Sequence, residues 1–373
     1  MIEIEVLLYL LIINLLLLIS VYLPNGSCFV EHNNLYTNKF NSNFTWNWKI
    51  LVILLSFALF IGFRDLHIPG DNSLDFKEYL KFYDYILRTG KIPDYLIERE
   101  MGYSYLVGVF ALNGIPARVF FVLYTVLLWI FFFKGTYKFQ FLLPLILFFV
   151  ITDGLLFWSE NAIRQAMALM IFFYSLQYII DRKILKYLLI LVIASLFHES
   201  VLLMFPLYFL NSLRFNTKII FSLYILSIFT YQYNFFIADI LNETISSLNI
   251  KFGLFSSYVS REILTTASKE VVASGVGIIV AILTNLYILY RSKSVLEEYP
   301  LFNIYYILFA IFIISNNIFF GSDLIGRTLV YFKIALIVVL PLSIYFSRNR
   351  FEKWIGISIM SLHYIIFFGG FFK

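Results

Sequence analysis

The sequence predicts an all-α polytopic membrane protein of about 12 transmembrane helices plus one shorter re-entrant or interfacial segment. Three observations lead there. Only 14% of the 373 residues are charged, where a soluble domain carries about 25%. The apolar residues, 61% of the chain, gather in blocks of about 15–21. Lys, Arg, Asn, Gly or Pro ends each block. The basic residues fall in the short loops between blocks rather than on one patch, so a net charge of +5 does not point to nucleic acid. The lipid bilayer is the partner that composition demands.

The first block, 4–23, lacks a basic leader and a small-residue cleavage site, and is expected as a retained span. Further spans are expected at 49–63, 116–133, 139–152, 162–180, 184–197, 200–213, 219–238, 271–290, 302–320, 328–346 and 354–371. Residues 102–115 are apolar but too few for a crossing, and the turn Asn113-Gly114-Ile115-Pro116 closes them. The longest polar stretches, 64–100 and 239–270, are expected as extracytoplasmic loops of a single integral membrane domain covering 1–373. Within the first, Asp75–Arg88 has helical spacing with Tyr79, Phe82, Tyr83 and Ile86 on one face, which predicts an amphipathic helix lying in the interface.

Orientation follows from the placement of Lys and Arg. One set of short loops holds Lys39, Lys49, Lys134, Lys138, Arg182, Lys183, Lys186, Arg214, Lys218, Arg291, Lys293, Arg348, Arg350 and Lys353, half of the 28 basic residues. The same loops hold only Glu31, Asp181, Glu297, Glu298 and Glu352 among acids. These loops are expected in the cytoplasm, with both termini on the other side.

On that topology the unusual polar groups converge on the outer face. Arg64, Asp65, Asp71 and Asp75 follow the second span, and Glu100 precedes the short apolar piece. Glu160, Arg164 and Gln165 open the fifth span, His198 and Glu199 join the sixth and seventh, and Arg327 opens the eleventh. An ionisable group with apolar residues on both sides, as at His198 and Glu199, costs a few kcal/mol unless it faces a wet cavity or meets a partner. Arginines suit a phosphate ligand because a planar, permanently charged guanidinium pairs bidentately with its oxygens. Arg164 also stands at a helix N-terminus, where the dipole favours an anion. The competing account is snorkelling of interfacial arginines to lipid headgroups. His198 is the best general-base candidate, since imidazole titrates near neutrality; the plainer role for it is capping the helix it begins. Asp71, Asp75 and Glu100 are the other candidates for deprotonating a hydroxyl, against simple solvation in wet loops.

Other chemistries find no support. Nucleophile-elbow, phosphate-loop and dinucleotide-binding motifs are missing from the sequence, so no nucleotide cofactor is expected. His32, His67, His198 and His363 are too scattered for a metal site, and the single cysteine, Cys28, fits no metal-ligand spacing.

Several segments are similar to those of a known family. Phe63-Arg64, Pro69-Gly70-Asp71 and Asp75-x-x-x-Tyr79 resemble the "R…G-D…Y" segment of EpsG/Wzy-type polysaccharide polymerases. Glu100-Met101-Gly102-Tyr103 resembles their "E-P-G-[FY]", with Met in place of Pro, and Ile163-Arg164-Gln165-x-Met167-Ala168 their "I-R-Q-x-[IL]-A". Phe197-His198-Glu199-Ser200 before Met204-Phe205-Pro206-Leu207 resembles "F-H-x-S…L-P-L", and Gly326-Arg327 with Tyr331-Phe332 the late "R-x-x-x-Y-F". The resemblance implies a polymerase of O-antigen, capsule or exopolysaccharide. It would join oligosaccharide repeat units carried on undecaprenyl diphosphate at the periplasmic face of a bacterial inner membrane. A GT-C-like architecture, no cofactor and a chain-length regulator as candidate partner come with it. Carried over, Arg64, Arg164 and Arg327, with Gln165, would hold diphosphate. His198 or an acid among Asp71, Asp75 and Glu100 would activate the acceptor hydroxyl.

Three rivals remain open at this level. A lipid-linked sugar flippase would want mid-bilayer charges and internal repeats. An acyltransferase using His198 would need an acyl-donor site, and a ligase of finished polymer would share nearly all of the chemistry above.

Overall fold

The computed structural model describes residues 48–62, 74–93, 100–210, 212–213, 216–230, 275–319 and 323–371. Every element among them is helical, as expected. The expected first span 4–23 and loop 239–270 lie outside the described residues. The chain groups into two compact units, Met1–Tyr208 and Phe209–Lys373.

In the first unit, α1 (Trp48–Gly62) and α7 (Ile163–Ile180) both pack against α4 (Ala117–Gly135). Helix α7 is the axis of this unit: Ala166 to Phe173 are all within 1% of full burial. The amphipathic helix forms as α2 (Leu74–Thr89), but its apolar face is taken up by protein. Tyr79, Tyr83 and Ile86 are buried, and the ring of Phe76 meets Phe121 and that of Tyr83 meets Phe120, both from α4. The Tyr83 hydroxyl donates to the Ile115 carbonyl at 2.7 Å, fixing α2 to the turn before α4. Burial raises the pKa of that hydroxyl and the Asp84 carboxylate adds to the effect, so it remains a donor.

The short apolar piece is α3 (Met101–Leu112), twelve residues long. A 3-10 turn (Tyr137–Leu142) leads into α5 (Leu143–Thr152) and α6 (Leu155–Asn161), which bend by 56° at Asp153-Gly154. Gly154 takes a left-handed φ of 78° there. After α7, Arg182 at φ 57° turns the chain into α8 (Ile184–Ser195). The expected span at 200–213 is not one helix. It is a 3-10 turn (Glu199–Met204) followed by the single turn α9 (Leu207–Leu210), because Pro206 lacks the N–H that would continue the first.

In the second unit, α10 (Thr217–Thr230) packs on α12 (Asn303–Ile318), and α12 packs on α13 (Asp323–Lys333). Helix α11 (Gly275–Glu298) packs on α14 (Leu336–Tyr345) and α15 (Arg350–Phe371). Polar pairs stitch these apolar helices: Asn285 Nδ2 donates to Tyr224 Oη at 3.1 Å, Asn317 Nδ2 donates to Ser227 Oγ at 2.9 Å, and Thr284 Oγ1 lies 2.9 Å from His363 Nε2. Arg291 pairs with Glu352 at 2.8 Å where α11 meets α15.

Among the described residues, five helical segments are long and apolar enough to cross a membrane: Ala117–Gly135, Ile163–Ile180, Gly275–Glu298, Pro300–Ile318 and Ile325–Tyr345. The bent Tyr137–Thr152 and Leu155–Asn161 pair makes a sixth if counted as one span. The expectation of twelve counted every apolar block except 102–115. Several of those blocks form helices of ten to seventeen residues, including Ile50–Leu59, Ile184–Ser195 and Thr217–Phe229.

Candidate active site

Four segments of the first unit meet around one carboxylate. Glu100 precedes α3 at its N-cap position, yet its side chain makes no capping bond to that helix. Instead one carboxylate oxygen pairs with Arg164 Nη1 in the first turn of α7, and the other lies 3.0 Å from His198 Nδ1. The helix that would have been capped thus gives its acid to two partners from elsewhere in the chain.

Arg164 is held from a third side. Its Nε donates to Tyr79 Oη at 3.2 Å, and its guanidinium carbon lies 5.1 Å from the Tyr79 ring centre and 6.0 Å from that of Tyr103. The two rings meet edge-to-face at 5.7 Å. A cation against aromatic faces gains about 0.5–1 kcal/mol when exposed and more when dry. The arginine is oriented before any ligand arrives.

The local backbone explains why these side chains converge. The Gly102 N–H donates to the Leu196 carbonyl at 2.8 Å, tying the first turn of α3 to the end of α8, two residues before His198. The approach is close enough to demand glycine, since a Cβ on Gly102 would stand 2.9 Å from Leu196 Cβ and 3.0 Å from its carbonyl oxygen. His198 itself is extended, at φ −160° and ψ 117°, and makes no capping bond to the turn it precedes. Its side chain is spent on Glu100, so the helix-capping alternative does not hold. Tyr124 of α4 donates to the Ile163 carbonyl at 3.3 Å and so sets the start of α7, one residue before Arg164.

The cluster is sheltered but open on one side. Side-chain exposure is 9% for Glu100, 16% for His198 and 32% for Arg164. Arg164 is the member a ligand can reach. The other end of α7 carries a separate ion pair, Lys138 Nζ to Asp181 at 2.6 Å. Seventeen residues of helix rise separate it from Arg164, about 25 Å.

A model of the EpsG family matches residues 47–373, most of the chain. The chain belongs to the EpsG family. This is a family of polysaccharide polymerases. No curated protein and no solved structure matches the chain.

For this EpsG protein, the residues named from sequence divide into three groups. Glu100, Arg164 and His198 come together as described. Gln165 follows in the same turn of α7 and is buried. Arg327 lies exposed in the second turn of α13, in the second unit. Arg64 and Asp71 lie outside the described residues, as does the side chain of Asp75 in the first turn of α2. Among the described residues no group of three His, Cys, Asp or Glu could hold a metal ion. Sequence reasoning gave Tyr79 and Gly102 no role at the site. Each was visible only as part of a motif, and neither type signals chemistry alone.

Proposed function

We propose that this EpsG-family protein joins oligosaccharide repeat units carried on undecaprenyl diphosphate, at the extracytoplasmic face of the membrane, and that the Glu100 cluster is its reaction centre. The observation that supports this best is the single carboxylate joining Arg164 to His198. The reaction has two needs: a cation for the diphosphate leaving group and a base for the incoming hydroxyl. Arg164 fits the first and His198 the second.

In the proposed step, the acceptor hydroxyl oxygen attacks the anomeric carbon of the donor sugar. The bond from that carbon to the diphosphate oxygen breaks, and its electron pair leaves with the polyprenyl diphosphate. Arg164, preoriented by Glu100 and Tyr79, stabilises the charge gathering on the leaving group. His198 has Nδ1 turned to Glu100, so Nε2 is the nitrogen that takes the hydroxyl proton. Arg64 and Arg327 are proposed as further diphosphate contacts and Gln165 as a neutral one, while Asp71 and Asp75 are the alternative bases. The placement at the outer face of a bacterial inner membrane rests on the basic short loops, with the Lys138–Asp181 end of α7 in the cytoplasm. O-antigen or a related surface polysaccharide is the product class, with a chain-length regulator as candidate partner.

The test is Arg164→Ala at normal membrane abundance, read on polysaccharide gels. Loss of one preorganised charge-stabilising donor costs about 10²–10³ in rate, so the ladder should collapse to a single repeat unit. A full-length polymer would exclude Arg164 from the reaction. Complete loss of attached sugar would indicate a ligase instead.

A further inference from the structure

We propose that Glu100 is a shared positioning residue that makes the base wait for the donor. A diphosphate arriving on Arg164 displaces the carboxylate from the guanidinium and leaves it undivided on His198. The inference rests on the roles given above to Arg164 and His198, and adds an order of binding, donor before acceptor.

The geometry carries the idea in three parts. First, the two carboxylate oxygens are already divided, one to Arg164 and one to His198, so whatever loosens one contact strengthens the other. A carboxylate 9% exposed has little water to fall back on and must remain paired. Second, Arg164 has a separate anchor. Tyr79 holds Nε, while Glu100 takes only Nη1, so the terminal nitrogens can change partner without the side chain leaving its place. Third, Arg164 is the most exposed member, and a diphosphate brings more negative charge and more acceptor oxygens than one carboxylate. The anion therefore reaches the arginine first and outbids Glu100.

His198 is the receiving end. Neighbouring elements also bring Tyr79 from α2, Tyr103 from α3 and Tyr124 from α4 to the cluster, and the exposed Glu199 follows His198 in sequence. Tyr103 is fully buried and its hydroxyl has no hydrogen-bond partner among the described residues. Glu100 touches both Arg164 and His198. Before the donor arrives, the carboxylate is divided and the imidazole is poorly supported as a proton acceptor. Afterwards it is backed by a full negative charge.

The test uses the full chain in lipid nanodiscs and farnesyl diphosphate as a sugar-free probe of the diphosphate site. Glu100→Gln should bind the probe about fivefold more tightly, since it removes an ion-pair competitor of ordinary strength. Its polymer formation should fall at least about tenfold. A role limited to scaffolding would weaken both together, and that result overturns the proposal. A second readout is the imidazole carbon resonance of His198, identified by its loss in His198→Gln. It should move on saturation with probe in the wild type and stay in place in Glu100→Gln. Should the glutamine variant fail to accumulate, the wild-type resonance decides alone, and no movement overturns the coupling. Probe binding that is absent, or indifferent to Arg164→Ala, removes the diphosphate assignment itself and the coupling with it. Normal Arg164-dependent binding with an unresponsive His198 sinks the coupling only.

Discussion

At the scale of single residues, the site turns on which groups are allowed to be polar in an apolar chain. Glu100, Arg164 and His198 stood out in the sequence because a charge among apolar residues needs a partner, and Glu100 turns out to be the partner of the other two. Tyr79 is different. A tyrosine on the apolar face of an amphipathic helix reads as packing, and most of its ring does pack. Its hydroxyl alone carries the second role, as acceptor for Arg164 Nε at 3.2 Å. Tyr79→Phe should therefore keep the fold and the ring contact and lose one hydrogen bond to a cation. A drop of at least about tenfold in polymer formation, matching ~1.5 kcal/mol or more for a hydrogen bond to a charged group, is expected. Initial-rate assays at equal membrane abundance would check it, and unchanged activity would mean that Glu100 alone orients the guanidinium. Asp71, Asp75 and Arg64 were as conspicuous in the sequence as Glu100, but lie outside what the structure describes in side-chain detail.

At the scale of elements, the junctions between helices are fixed by a few buried polar contacts and by glycines where helices touch. The meeting of α11, α14 and α15 shows how. Arg291 is 2% exposed at its side chain, pairs with Glu352 at 2.8 Å, and also donates to the Phe346 carbonyl. Glu352 in turn accepts from the Arg348 N–H at 3.0 Å and from the Tyr290 hydroxyl at 3.2 Å. Tyr287 donates to the Glu352 carbonyl at 3.1 Å, and a Cβ on Gly356 would stand 2.6 Å from the Tyr287 oxygen. Removing one partner of a buried ion pair leaves an uncompensated charge, at a cost of about 3–5 kcal/mol. Glu352→Ala should thus lower the midpoint of thermal unfolding in detergent sharply, whereas Lys293→Ala, from an exposed pair with Glu297, should leave it nearly unchanged. Equal effects of the two would show that the latch adds nothing. From sequence, Arg291 and Glu352 counted only as loop charges. The hydropathy pattern that placed the helices well says nothing about which loop charges are buried. It also could not show that residues 200–213 break into two short turns, because hydropathy does not register the missing N–H of Pro206.

At the scale of the whole molecule, one expectation governs the rest: basic loops on one side, chemistry on the other. Helix α7 expresses it in miniature, with the Arg164 cluster at its start and the Lys138–Asp181 pair past its end, about 25 Å away. That distance is close to the thickness of a hydrocarbon core, so α7 crossing as a span would put the two ends at opposite faces. Membership of the EpsG family supplies the kind of reaction, and the side on which it happens must come from orientation. The chain offers a clean way to measure it, because Cys28 is the only cysteine. In a Cys28→Ser background, single cysteines can be placed at Asn113, in the exposed turn after α3, and at Lys183, in the exposed turn after α7. An impermeant maleimide added to right-side-out vesicles should label Asn113→Cys at once and Lys183→Cys only after the membrane is opened. The reverse pattern would turn the reaction centre toward the cytosol. A periplasmic polymerase would then be untenable, whatever the chemistry of Arg164 and His198.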